Sequence, residues 1–151
     1  MEIVEARLDD MSEVAALVRA LLLELEPALS EEILAMSCEQ VARRLFAEGK
    51  LHAFLAREGG RAVGVITLNE CAAIYAGGVF GEISELYVLP GHRSRSIGRR
   101  LLDAAADKAS SLEWKRLEVG TPAPAAWPET VRFYEANSFK HTGARLRRLL
   151  A

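Results

Sequence analysis

The spacing of apolar and polar positions changes several times along the chain, and each change marks an element. From Asp10 onward Val14, Leu17, Val18, Leu21, Leu22 and Leu25 recur at intervals of three and four, laying one apolar stripe down a helix. Asp10 with Glu13 has the spacing of a capping box that would start this helix, and Pro27 closes it. Before it, residues 2–8 read as a short strand. A second helix is signalled by Ser37 as cap with Gln40 three residues on, then Val41, Leu45 and Phe46, and Gly49, where the chain can turn left-handed to stop. The stretch between Pro27 and Ser37 gives no firm assignment.

Strand patterns take over after residue 50. Residues 51–57 and 62–68 flank Glu58-Gly59-Gly60-Arg61, whose paired glycines supply the positive φ of a tight hairpin. Residues 69–79 are loosely defined. Residues 81–89 have strand composition up to the Pro90-Gly91 turn. A strict period of two puts Ile83, Glu85, Tyr87 and Leu89 on one face, with Glu82, Ser84, Leu86 and Val88 on the other. A third helix begins near Ile97, carries Leu101, Leu102, Ala105, Ala106 and Ala109 as its stripe, and ends at Ser110 and Ser111. Residues 116–120 form a further strand, residues 128–136 a short helix, and the tail from Phe139 returns as strand. The order predicts an α/β (α+β) fold, a mixed meander with crossover helices in a single domain over residues 1–151.

Composition narrows the class. The 151 residues are 50% hydrophobic and 26% charged, enough to fill one core. Nineteen Lys plus Arg against 21 Asp plus Glu give a net charge of -2, so no global basic field points to nucleic acid or a membrane surface, and any anion site must be local. Cys38 and Cys71 form no C-x-x-C, which fits a reducing, cytoplasmic setting. The first ten residues hold no signal-type apolar segment, and no apolar run reaches membrane-spanning length. His52, His92 and His141 lack metal-ligand spacing, so no metal is expected. Gly77-Gly78-Val79-Phe80-Gly81 lacks the Lys-Ser/Thr of a phosphate-binding P-loop and reads as a bend.

The segment that carries chemistry is His92-Arg93-Ser94-Arg95-Ser96-Ile97-Gly98-Arg99-Arg100, with four arginines and no acid between a strand end and a helix start. The first N–H groups of a helix have no intrahelical partner and sit at the positive end of its dipole, a setting that suits phosphate or pyrophosphate. Gly98 would let the backbone come close, and Ser96 has cap chemistry. The plainer reading is a basic turn whose arginines solvate the surface.

With the preceding strand, residues 85–102 resemble the acetyl-CoA-binding core of the GNAT family of N-acetyltransferases, whose signature is Q/R-x-x-G-x-G/A. Arg93 and Gly98 match its first and last fixed positions, and Ser96 stands where the family usually has its first glycine. Residues 3–25 look like the family's first strand and helix, and residues 54–68 like its second and third strands. Val131-Arg132-Phe133-Tyr134-Glu135-Ala136-Asn137-Ser138-Phe139 resembles its F-Y-E-x-x-G-F segment, with Ser138 in place of the glycine and Trp127 where an asparagine is common.

The resemblance implies a mostly antiparallel central sheet flanked by helices, with strands splayed at the acetyl-CoA site. It implies direct transfer of acetyl from acetyl-CoA, as co-substrate, to a primary amine of a small molecule. Leu86 and Val88 would hold the pantetheine arm and thioester carbonyl, Val88 N–H being the candidate oxyanion donor. The pyrophosphate would lie across Arg93, Ser94, Arg95, Ser96, Ile97, Gly98 and Arg99. Tyr134 matches the tyrosine that protonates the departing thiolate; read from its patterning alone it is a core aromatic. Glu85, matching an acidic position in many relatives, is ranked before Glu82 as the base that deprotonates the acceptor, and either carboxylate could instead orient substrate. Tyr75, Phe80 and Trp127 could line the acceptor pocket or pack in the core. A non-catalytic acyl-CoA sensor would keep the anion loop without needing Tyr134 or Glu85. A nucleic-acid module is disfavoured because no basic face or aromatic platform accompanies the arginines. The apolar tail Leu146, Leu149 and Leu150 is compatible with a homodimer.

Overall fold

A computed structural model describes residues 1–150. Residues up to Val119 form one compact unit, and those from Gly120 onward form a second. The first unit holds a five-stranded sheet in the order β1-β2-β3-β4-β5, made of β1 (Glu2–Glu5), β2 (His52–Glu58), β3 (Arg61–Ala73), β4 (Gly78–Val88) and β5 (Leu117–Val119). The first four strands are an antiparallel meander, and β5 joins parallel to β4. Three helices lie between β1 and β2: α1 (Met11–Leu25), α2 (Ser30–Ala35) and α3 (Cys38–Ala47). The crossover that a parallel neighbour requires is α4 (Ile97–Ser111). The second unit holds α5 (Pro128–Ala136).

Each face of the sheet is covered by different helices. Met11, Val14, Ala15 and Leu17 of α1 and Cys38 and Ala42 of α3 pack with Ala53, Leu55, Val65 and Tyr87 on one face. On the other, α4 comes so close that a Cβ at Gly64 would lie 3.2 Å from Leu101 Cδ1 and 3.4 Å from Ile97 Cγ2. A Cβ at Gly81 would meet the Trp114 ring at 2.4 Å, so β4 accepts that indole only because position 81 is bare. Gly59 and Gly60 both have positive φ, +54° and +81°, as the two-residue hairpin between β2 and β3 demands.

Several expectations are corrected. β1 stops at Glu5 because Leu8–Asp10 forms a 3-10 turn closed by Arg7 N–H donating to Asp10 Oδ2 at 2.8 Å. Asp10 therefore does not cap α1; with Glu13 it holds the Arg57 guanidinium of β2, at 2.9 and 2.8 Å. Ser37 likewise precedes α3 without a side-chain cap bond. The unassigned stretch is a 3-10 turn at Pro27–Leu29 followed by α2. The loosely defined residues 69–79 are largely paired: β3 runs to Ala73 and β4 starts at Gly78. Small and polar residues there have weak strand propensity, and cross-strand pairing overrides it. No strand follows Phe139 among the described residues.

The largest correction concerns β4. Thr67 pairs with Glu85 but Leu68 pairs with Ile83, so Ser84 is an extra residue, a β-bulge. The bulge resets the alternation. Glu82, opposite Asn69, and Glu85, opposite Thr67, share one face, while Ile83 has moved to the other.

Three helices end in the same way. In each, the second residue past the helix cap donates back five residues and the first donates back three: Lys50 to Leu45 and Gly49 to Phe46, Trp114 to Ala109 and Glu113 to Ser110, Phe139 to Tyr134 and Ser138 to Glu135. This Schellman geometry needs a left-handed residue, and Gly49 supplies one without strain, whereas Glu113 and Ser138 are held at φ +62° and +74°. A non-glycine residue there costs about 1 kcal/mol or slightly more, against roughly 0.5 kcal/mol for the extra freedom of glycine in the unfolded chain. Glu113→Gly and Ser138→Gly are each expected to stabilise the protein by about 0.5 kcal/mol in urea unfolding, and a loss of stability in either would contradict the strain assigned to that site.

Candidate active site

β4 is the element on which the candidate residues converge. β5 pairs with it only at Gly81, Glu82 and Ile83, and beyond Ile83 that edge has no strand beside it among the described residues. On its other edge β4 stays bonded to β3, with Leu89 N–H donating to Val63 O at 2.9 Å. Antiparallel alternation then turns Tyr87 and Leu89 toward β3 and the backbone groups of Leu86 and Val88 toward the open edge. Two N–H groups spaced along a fixed strand thus lie beside a gap, which is the predicted splay. Val88 O on the same edge accepts Arg93 Nε at 2.8 Å.

After Val88 the chain makes a 3-10 turn at Pro90–His92 and reaches α4 through Ser94 and Ser96, both left-handed, at φ +61° and +62°. Ser96 stands where the resemblance has glycine, and the positive φ gives the physical reason for glycine there. Its side chain makes no cap bond, contrary to the cap expected of it. Its carbonyl accepts Arg100 N–H at 3.0 Å, leaving the N–H groups of Ile97, Gly98 and Arg99 without a partner among the described residues.

The four arginines have diverged in role. Arg93 makes a bidentate pair with Glu24 of α1, at 3.0 and 2.7 Å, and its guanidinium lies 5.3 Å from the Tyr87 ring centroid. The Arg93 hydrogen bond holds the Glu24 carboxyl below its ordinary range. Arg95 pairs with Glu58 at 2.6 Å, and Glu58 also holds His92 Nδ1 at 3.0 Å. Arg100 reaches Met1 O at 3.3 Å, and Arg99 has no side-chain partner among the described residues.

The face shared by Glu82 and Glu85 is polar over several residues. Thr67, almost fully buried, accepts the Glu85 backbone N–H at 3.0 Å and donates its hydroxyl to the Glu85 carboxylate, tying that side chain across the bulge. Burial pushes the Glu85 carboxyl above the usual carboxylate range, with the Thr67 hydrogen bond opposing. Beside it Ser84 donates to Asn69 at 2.5 Å, Asn69 donates to Cys71 Sγ at 3.3 Å, and Cys71 lies 3.9 Å from Glu82. Burial and Glu82 push the Cys71 thiol up, so it stays protonated. Tyr75, at the exposed tip between β3 and β4, bonds both Glu118 oxygens at 3.3 Å, with Arg116 5.4 Å from its ring centroid. Phe80 is buried, its ring 6.0 Å from that of Tyr75.

In the second unit Tyr134 lies on α5, its ring buried edge-on to Phe133 and Phe139, each at 5.3 Å. Burial pushes its phenol up to about 12, and its hydroxyl has no partner among the described residues. Trp127 is half-exposed at the head of α5. Two surface hollows, one along residues 4–7 with Asp10 and Phe46, the other along α1 with Arg61 and Leu89, contain none of the candidate residues. Among the described residues no His, Cys, Asp or Glu group could hold a metal ion, and no helix is long and apolar enough to cross a membrane.

Sequence reasoning missed Glu24, Glu58 and Thr67. Two left a trace: Glu24 interrupts an otherwise leucine-rich stretch from Leu21 to Leu25, and Thr67 is the polar residue within Val65-Ile66-Thr67-Leu68. Such isolated polar residues mark buried or cross-element bonds.

Comparison with known proteins agrees with this geometry. The chain is 29% identical over 142 residues to the aminoalkylphosphonate N-acetyltransferase of Salmonella typhimurium, covering 84% of this chain and 91% of that protein. A GCN5-related N-acetyltransferase from Ralstonia eutropha superposes with a TM-score of 0.84 at 19% identity, over 98% of this chain and 97% of that one. A "predicted acetyltransferase" from Clostridium acetobutylicum, solved with acetyl-CoA, gives a TM-score of 0.76 at 16% identity, over 98% and 95%. The profile of the Acetyltransferase (GNAT) family matches residues 16–139, and with the open β4 edge and the anion-ready head of α4 already in place, the chain belongs to that family of acyltransferase enzymes.

Proposed function

We propose that this enzyme transfers an acetyl group from acetyl-CoA directly to the primary amine of a small molecule. The observation that carries the reading is the row of backbone N–H groups, without a partner among the described residues, that runs from Leu86 and Val88 to Ile97, Gly98 and Arg99. Acetyl-CoA supplies an acetyl group activated as a thioester. The residues present fit it: amides along the β4 edge suit the pantetheine arm, and those at the head of α4 suit its pyrophosphate.

Val88 N–H donates to the thioester oxygen as negative charge builds there, and because β3 fixes the strand no reorganisation accompanies the reaction. Glu85 takes the proton that an ammonium must lose before it can attack, directly or through water. Burial raises its pKa, so once ionised it is a stronger base than an exposed carboxylate. Glu82, on the same face, orients the amine. Tyr134 gives its proton to the departing thiolate; a phenol pushed up to about 12 is fully protonated near neutrality. Tyr75 and Trp127 are offered as acceptor contacts, with Phe80 behind Tyr75. The similarity to an aminoalkylphosphonate N-acetyltransferase supports a small aminated acceptor. The test is CoA release from acetyl-CoA with a panel of aminoalkylphosphonates, polyamines, amino acids and aminoglycosides; silence across the panel with intact acetyl-CoA binding would remove the small-amine reading.

Three variants probe the roles. Tyr134→Phe keeps the ring, so acetyl-CoA affinity should hold while single-turnover transfer slows by about a hundredfold; a wild-type rate would make Tyr134 a packing residue. Glu85 works deprotonated, so transfer should rise with pH through a step above the ordinary carboxylate range, and Glu85→Gln should lower the rate by about a hundredfold and abolish that step. An unaltered pH profile in the variant would assign the step elsewhere. Gly98→Val should weaken CoA binding at least tenfold in calorimetry without unfolding the protein, since a side chain would enter the pyrophosphate path; unchanged affinity would remove the loop assignment.

A further inference from the structure

We propose that Glu24 and Glu58 are positioning residues for the CoA loop, and that the Arg93 and Arg95 side chains are the loop's tethers to them and not phosphate contacts. The inference rests on the acetyl-CoA reading above and assigns work to two carboxylates outside the matched signature. Four arginines at an anion site invite the opposite view, that all of them meet phosphate.

The loop has little backbone support of its own. After His92 N–H to Leu89 O at 2.9 Å and Arg93 N–H to Pro90 O at 3.4 Å, the next backbone bond is Arg100 N–H to Ser96 O. Between them stand two left-handed serines, a conformation that persists only where the surroundings over-determine it. Side chains supply that determination. Arg93 is committed on every side: Nε to Val88 O, both terminal nitrogens to the two oxygens of Glu24, and its plane over Tyr87. This bidentate geometry fixes orientation as well as distance. Glu58, at the β2 end of the hairpin, holds His92 with one oxygen and Arg95 with the other, bracketing Arg93 and Ser94. The loop is thus tied to α1 on one side and to the β2–β3 hairpin on the other. With Arg93 and Arg95 engaged, the anion is left to the amides of Ile97, Gly98 and Arg99 and to the remaining arginines.

The two views predict opposite signs. If Arg93 and Arg95 are phosphate contacts, removing Glu24 or Glu58 deletes a competing negative charge within about a Debye length and tightens CoA binding a few-fold. If the carboxylates position the loop, the same substitutions weaken CoA even though they make the site more positive. The experiment is calorimetry on wild type, Glu24→Gln and Glu58→Gln with CoA and with pantetheine, which lacks the phosphates. The expected result is a dissociation constant for CoA raised about tenfold in each variant, with pantetheine unchanged. The exchanged pair Glu24→Arg with Arg93→Glu restores the ion pair but not the bonds to Val88 O and Tyr87, so it should recover part of the affinity lost in Glu24→Arg alone, which separates the tether from general damage to the fold. Tighter or unchanged CoA binding overturns the proposal, as does an equal loss for both ligands. Failure of the wild type to bind CoA would overturn the acetyl-CoA reading itself, an outcome distinct from any difference among variants.

Discussion

The interruption of pairing between β4 and β5 is the constraint from which the site follows. A strand with neighbours on both edges has spent all its backbone donors, and one with no neighbours has no fixed geometry. β4 is paired with β3 from end to end except at the Ser84 bulge, but with β5 only through Gly81, Glu82 and Ile83. Leu86 and Val88 therefore combine a rigid backbone with unspent N–H groups. Unsatisfied donors normally cost stability, so a fold retains them where a ligand or water completes them. Gly81 contributes at the other end of the strand: only its bare Cα admits Trp114, whose indole in turn donates to Glu70 of β3 at 2.9 Å.

Much of the architecture was legible where period and local chemistry agreed. The α1 stripe, the Gly59-Gly60 hairpin and the Gly49 stop depend on interactions within a few residues, and each lies where its pattern predicts. What escaped was decided at long range. The outer half of the β3–β4 hairpin is built from residues with little strand preference, held by their partners across the ladder. Asp10 has the local signature of a cap but is drawn away by Arg57, 47 residues distant. Ser96 has cap chemistry too, yet it sits in the left-handed region and its side chain makes no cap bond.

The site was legible in its residue types but not in its geometry. Position 84 shows the difference: nothing in the sequence marks Ser84 as an inserted residue, yet it brings Glu82 and Glu85 onto one face when simple alternation separates them. The charge of the loop was likewise apparent and its disposition was not, because the partners of Arg93 and Arg95 lie 69 and 37 residues away. Ser96 and Ser138, at two positions where the family signature has glycine, are both in the left-handed conformation that glycine adopts without strain.

The length of those connections also bears on the order in which the molecule assembles. Closing a chain loop becomes costlier as it lengthens, and contacts distant in sequence are repaid only once the intervening elements are in place. The β2–β3 hairpin can form from its own neighbourhood, whereas the segment ahead of α4 cannot adopt its shape until α1 has docked and the hairpin has presented Glu58. Ligand recognition at this segment is therefore a late acquisition during folding. A bound ligand there reports on completed docking of α1 and, by favouring only the finished state, slows the reverse journey as well.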